Sequence, residues 1–147
     1  LPSSITTNKV KRIIDANINR LKEGLRVCEE ICRFMLDSRD LTREFKKIRH
    51  ATDPVFKTVY PYPELIRHRA SETDAGRNIQ LNELERKNPQ DIFFANMQRI
   101  KESLRVLEEF SKLTDKKSAL KFKKIRYLAY GTEKKAAAAI ASLSDSG

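Results

Sequence analysis

The sequence predicts an all-α protein: a four-helix arrangement of two duplicated helical hairpins with pseudo-two-fold symmetry and an irregular central segment. Three observations predict it. Apolar residues recur at three- and four-residue spacing through most of the chain, as buried helical stripes require. Only four glycines and five prolines punctuate 147 residues. The twelve residues Ala16-Asn-Ile-Asn-Arg-Leu-Lys-Glu-Gly-Leu-Arg-Val27 return 79 positions later as Ala95-Asn-Met-Gln-Arg-Ile-Lys-Glu-Ser-Leu-Arg-Val106, both copies leading into paired glutamates at 29/30 and 108/109.

The first helix is read from the stripe Val10, Ile13, Ile14, Asn17, Leu21, Gly24, Leu25, Cys28, Ile31, Cys32 and Met35, which spans about Asn8 to Leu36. Thr6, Thr7 or Asn8 is suited to cap its start, and Asp37-Ser38 to stop it and cap the next helix. Leu41, Phe45, Ile48 and Val55 carry a second helix that Pro54 is expected to kink or end. Beyond Tyr60-Pro-Tyr-Pro63 a short helix is placed around Glu64 to His68, and Ala70 to Asn78 reads as a loop. Long loops in compact domains are often functional. Asn88-Pro-Gln-Asp91 is a strong helix start, with an amide cap, proline at the first position and an acid in the first turn. That third long helix is drawn to about Thr114. A fourth, from Asp115 or Ser118 to about Ser142, carries Phe122, Ile125, Leu128, Ala129, Ala136 and Ile140.

The repeat extends into the second helices, where Phe45-Lys-Lys-Ile-Arg49 returns as Phe122-Lys-Lys-Ile-Arg126. Residues 1–147 are therefore expected to form one helical domain, with repeat one at about 12–50, a central segment at about 60–88 and repeat two at about 91–127. Two hairpins that bury facing stripes make a four-helix solution economical.

Thirty basic against twenty acidic residues give a net charge of +10 and a pI near 9.8, so anionic partners are expected. No apolar run approaches a membrane span. The start of the chain lacks a secretory layout and reads as a trimmed cytosolic terminus. Cys28 and Cys32, four apart on a helix face, are poorly placed to bridge and read as small core residues of a reducing, cytoplasmic setting.

The copies retain polar residues as strictly as apolar ones, although a core needs only suitable hydrophobic volume. Asn17, and Asn96 after it, fall within an apolar stripe; each either links the hairpins or meets a ligand. Arg20 and Glu23, like Arg99 and Glu102, flank the stripe, where they form ordinary ion pairs or face a cleft. Arg26 and Arg105 point nearly opposite. In the central loop Arg67, Arg69, Asp74, Gly76 and Arg77 combine guanidinium forks for phosphate, an acid able to hold magnesium and a glycine that permits close backbone approach. Arg49 and Arg126, placed at the ends of the second helices, either complete such a site or complement the helix dipoles. There is no phosphate-binding Gly-x-x-x-x-Gly-Lys loop, no dinucleotide fingerprint and no His-Glu-x-x-His.

Several of these stretches together resemble a known family. They are Arg12-Ile-Ile-Asp-Ala-Asn-Ile-Asn-Arg20 with Glu23-Gly-Leu-Arg-Val27, Lys47-Ile-Arg-His50, Asp74-Ala-Gly-Arg77, and Ala95-Asn96 through Leu104-Arg-Val-Leu-Glu-Glu109. In order and spacing the chain resembles the small all-helical hydroxymethylpyrimidine phosphate kinases of thiamin biosynthesis, a domain also found fused to thiamin phosphate synthase. Ala75, Ser103 and Tyr127 depart mildly from its pattern. The resemblance implies ATP-dependent phosphorylation of 4-amino-5-hydroxymethyl-2-methylpyrimidine phosphate to the diphosphate, with ATP and Mg2+ required. On that expectation Arg20, Arg49, Arg69, Arg77, Arg99 and Arg126 bind phosphates, Asp74 with Glu23 or Glu102 holds magnesium, and Asn17, Asn96 and Gly76 contact substrate. A homodimer or thiamin phosphate synthase is the expected protein partner. The alternative is a non-catalytic helical docking or oligomerisation domain associated with that synthase. The lysine run at 116, 117, 121, 123 and 124 reads as a solvated face, since no nucleic-acid reading motif accompanies it.

Overall fold

The computed structural model describes residues 4–77 and 84–144. Every regular element among them is helical. Helix α1 (Ser4–Glu30) passes into one π-helical turn (Ile31–Met35), and α2 (Arg39–Val59) follows. A short α3 (Tyr62–Arg67) precedes a single 3-10 turn (Ser71–Thr73). Then come α4 (Pro89–Ser111), α5 (Lys116–Ala141) and a closing 3-10 turn (Ser142–Ser144).

Local chemistry explains most of these boundaries. Ser38 caps α2 by accepting a hydrogen bond from the Leu41 amide at 3.2 Å. Asn88 does the same for Asp91 at 2.8 Å with Pro89 at the first position of α4, and Asp115 accepts from the Lys117 amide at 3.1 Å. Helix α1 starts at Ser4, so Thr6, Thr7 and Asn8 lie inside it rather than capping it. Its α-helical pattern gives way to the π turn, in which the Leu36 amide donates to the Ile31 carbonyl at 3.1 Å. This widening keeps Ile31 and Cys32 buried while Phe34 and Met35 become exposed.

Helix α2 continues past Pro54, so the proline does not end it. Pro54 sits on an exposed face, so the carbonyl one turn earlier that loses its N–H partner lies on the side water can reach, while Val55, Phe56 and Val59 bury on the opposite side. Core packing outweighs the loss. Arg49 and Arg126 consequently stand in the middle of their helices, away from the C-terminal dipoles expected to attract them.

Around the bundle, α1 packs on α4, α4 on α5, α5 on α2 and α2 on α1. The α1–α4 seam is the most extensive and is antiparallel: Gly24 faces the Asn96 carbonyl and Ile100, and Cys28, further along α1, lies 3.8 Å from the earlier Phe93 carbonyl. The core is one apolar cluster containing Leu21, Leu25, Phe45, Phe93, Leu104 and Phe122, all fully buried. Each such side chain contributes about 1.5–3 kcal/mol by leaving water. Phe45 and Phe93 meet edge to face at 6.3 Å, and Phe56 tilts against Phe122 at 6.0 Å. Cys28 and Cys32 are buried free thiols, as the spacing predicts; burial raises both, Cys32 to about 11. Among the described residues no helix is long and apolar enough to cross a membrane.

Candidate functional site

The principal concavity near the repeated polar residues is a cleft of about 950 Å3 between the first half of α1 and the segment that follows α2. From α1 it takes Asn17, Arg20 and Glu23 together with Lys9, Arg12 and Asp15; the covering segment supplies Tyr62, Arg69 and Asp74, and Val106 reaches in from α4. Five of the expected site residues, Asn17, Arg20, Glu23, Arg69 and Asp74, therefore share one hollow.

Two contacts hold the covering segment in place. Arg69 donates from Nε and one Nη to both oxygens of Asp15, each at 2.8 Å, and this carboxylate holds the guanidinium's pKa above its ordinary value. Lys11 pairs with Glu64, whose pKa it lowers, and lies over the Tyr60 ring. Asp15 is almost wholly buried, so it needs such a partner. Arg69 is thus engaged within the protein, and its expected phosphate fork is already filled by a carboxylate. Lys9 and Arg12 make no ion pair among the described residues, and with Arg20 they form the cationic rim of the cleft.

Asn17 is buried as its place in the stripe predicts, and it does not link the helix pairs. Its Nδ2 donates to the Ile13 carbonyl at 2.8 Å, while Arg20 reaches its Oδ1 at 3.4 Å. Asn96 makes the matching bond to the Ile92 carbonyl at 2.8 Å but is only half-buried. Asp74 is exposed and accepts from the Gly76 amide at 2.9 Å, closing a tight turn. Arg77 points back to the Glu72 carbonyl, and Gly76 lines the turn rather than the cleft. Asn78, the last residue of the expected loop, lies outside the described residues.

Arg99 and Glu102 are exposed on α4 and do not line this cleft; Glu102 accepts from Gln98. Arg49 and Arg126 also do not reach it. Each is turned inward onto a buried glutamate of the neighbouring long helix, Arg49 onto Glu29 at 3.1 Å and Arg126 onto Glu108 at 3.0 Å. Arg126 makes two bonds to that acid and one to the Tyr130 hydroxyl, and it stacks over Tyr127 and Tyr130. Arg26 and Arg105 complete the pattern by pairing with the same acids from the outer side. Much of the polar repetition is therefore structural: a buried acid braced by two arginines, made twice.

Sequence reasoning missed Glu29 and Glu108 as buried anchors, although both are repeated beside repeated arginines. It also missed Lys9, Arg12 and Asp15 as cleft residues, because none is kept in the second copy and repetition was the guide. Among the described residues no three His, Cys, Asp or Glu side chains converge as a ready metal site. Asp74 and Glu23 both border the cleft, which provides two carboxylates of the oxygen chemistry magnesium prefers.

The fold and site are thus those of an all-helical protein with a cleft rimmed by Lys9, Arg12 and Arg20 and floored in part by Asn17. The model of the ThiD2 family matches residues 12–135, and the chain belongs to that family. It is similar to proteins named thiamine-phosphate synthase. The Synechocystis protein is 38% identical over 125 residues, which cover 84% of this chain and 35% of that protein. The Nostoc punctiforme protein is 39% identical, covering 84% and 34%, and the Prochlorococcus marinus protein 38% identical, covering 88% and 37%. The chain spans about a third of the length of these relatives. No solved structure matches it.

Proposed function

We propose that this chain acts in thiamin biosynthesis, transferring the γ-phosphoryl group of ATP to 4-amino-5-hydroxymethyl-2-methylpyrimidine phosphate to give the diphosphate. The observation that carries the reading is the convergence of Lys9, Arg12 and Arg20 with Asp74 and Glu23 around one amide-floored cleft, in a ThiD2-family chain. Relatives named thiamine-phosphate synthase support the biosynthetic setting.

The chemistry asks for what these residues offer. An oxygen of the substrate monophosphate attacks the γ-phosphorus, a new P–O bond forms, and the bond to the bridging oxygen breaks to release ADP. The nucleophile is already an anion, so no strong base is required; positioning and charge neutralisation carry the catalysis. Roughly six negative charges meet in the ground state. Lys9, Arg12 and Arg20 offset part of them, and Asn17 positions the Arg20 guanidinium. Asp74 and Glu23 would hold magnesium, which supplies the remaining positive charge when bound.

The second reading is a non-catalytic helical domain that docks on a thiamin phosphate synthase or on itself. The relatives' threefold greater length favours it. One assay separates the two: ADP release from purified protein with ATP, magnesium and the pyrimidine monophosphate. Turnover that falls at least about tenfold in Arg20→Ala supports the kinase; a folded protein with no turnover and no nucleotide affinity moves the assignment to docking.

A further inference from the structure

The repeated helices α1 and α4 keep Asn17/Asn96, Arg20/Arg99, Glu23/Glu102 and the buried Glu29/Glu108 but differ at the outer end of each copy. Lys9, Arg12 and Asp15 of the first copy correspond to Asn88, Asp91 and Phe94 of the second. Two cations are thereby replaced by a neutral amide and an acid. The carboxylate that anchors Arg69 is replaced by an exposed ring, 45% accessible and edge-on to Phe93 at 5.3 Å. Phe94 offers no carboxylate to hold an arginine as Asp15 holds Arg69.

The antiparallel register brings the two sets toward each other. With Gly24 against Asn96 and Ile100, Arg20 stands level with Glu102, and Glu23 level with Arg99. The residues that line the covered cleft, Ile13, Ala16, Asn17, Arg20 and Glu23, have as their repeat counterparts Ile92, Ala95, Asn96, Arg99 and Glu102. These counterparts run along α4 from its exposed start back toward the middle of the seam.

We propose that the seam is a two-substrate groove with chemically distinct halves, an inference that rests on the kinase reading above. The covered half, rimmed by Lys9, Arg12 and Arg20, takes the polyphosphate nucleotide, because only it gathers several cations. The open half takes the pyrimidine monophosphate: Phe94 and Ile92 offer apolar surface to a methylated aromatic ring, Asn96 offers an amide to its edge, and Arg99 meets its single phosphate. Transfer then occurs near mid-seam, where Arg20 and Arg99 approach from opposite helices. The duplication supplied two related half-sites, and the differences Lys9/Asn88, Arg12/Asp91 and Asp15/Phe94 make them unlike.

The test is a kinetic and binding comparison of two variants in the full chain, Lys9→Ala/Arg12→Ala and Phe94→Ala, with circular dichroism as a folding check. Both alter exposed side chains. The expected result is a KM for ATP raised about tenfold in the first variant, with the KM for the pyrimidine monophosphate within about twofold of the parent, and the reverse in the second. Calorimetric titration with a non-hydrolysable ATP analogue and, separately, with the monophosphate should follow the same split. Reversed or equal effects overturn the assignment of halves while leaving the kinase intact. So does a Phe94→Ala variant whose kinetics are unchanged but whose sedimentation shows a lost dimer, since that makes Phe94 a contact between copies. A parent protein that neither turns over nor binds either ligand overturns the kinase reading itself.

Discussion

Arg69 and Asp15, 54 residues apart, are joined by two hydrogen bonds of 2.8 Å, and this pair fixes the irregular segment against α1. With the Lys11–Glu64 pair, it holds the wall of the cleft against α1. A buried acid on a helix and a half-exposed arginine on a turn thus convert a flat helix surface into a hollow.

Asp15→Asn removes the charge while preserving shape, so Arg69 loses its paired acceptor. The expected loss is about 1–3 kcal/mol in urea unfolding, with faster limited proteolysis in residues 70–77. An unchanged midpoint and cleavage pattern would show that the segment is held by other contacts.

The two buried acids should differ in importance. Glu108 receives two bonds from Arg126, which is also bonded to Tyr130, whereas Glu29 receives one from Arg49, whose buried Nε has no partner among the described residues. Glu108→Ala is expected to cost about 3–5 kcal/mol, as expected when one member of a buried pair is removed. Glu29→Ala should cost less, about 1.5–3 kcal/mol, because the Arg49 side chain is 25% exposed and can turn to water. Denaturant melts of the two variants that rank in the opposite order would contradict this account.

Glycines 24 and 131 should respond to alanine with opposite signs. A Cβ at position 24 would lie 3.0 Å from Ile100 Cγ1 and 3.2 Å from the Asn96 carbonyl oxygen, part of the α4 backbone, whereas among the described residues one at position 131 meets nothing within 4 Å. Gly24→Ala should lower stability by about 1–3 kcal/mol through overpacking. Gly131→Ala should raise it by about 0.5–1 kcal/mol through helix propensity. Thermal melts would register roughly 2–4 °C per kcal/mol for a chain of this size, and equal shifts would refute the close-approach argument.

Acid should weaken the link between α2 and α5. Glu44 accepts hydrogen bonds from Lys135 at 2.6 Å and Thr132 at 2.9 Å, and the Lys135 bond chiefly lowers its pKa below the ordinary 4.5. A carboxyl whose pKa is lower folded than unfolded contributes fully above the unfolded value and loses that contribution as pH falls through the folded one. The melting-temperature advantage of the parent over Glu44→Gln should therefore be present at pH 7 and fade below about pH 4.5. A difference that persists unchanged to pH 3 would exclude this linkage.

Helix type, order and most capping residues were legible in the sequence because they depend on nearest neighbours. Apolar period, Ser38, Asn88-Pro89 and Asp115 each act within a turn or two of themselves. Burial of Asn17 was legible for the same reason. Continuation through Pro54 was not, since it depends on which face α2 turns outward, and the widened turn at Ile31–Met35 depends on packing at the end of the bundle.

For the site, local pattern supplied the kinds of group but could not say which were already engaged. Identical arginines have different fates: Arg20 stays on the rim of a hollow, Arg49 and Arg126 are drawn onto buried acids 20 and 18 residues away, and Arg69 closes on Asp15 across 54. Composition and period are written along the chain, whereas partnership is a matter of distance in space. A charge becomes available to a ligand only after folding has decided which opposite charge, if any, stands beside it.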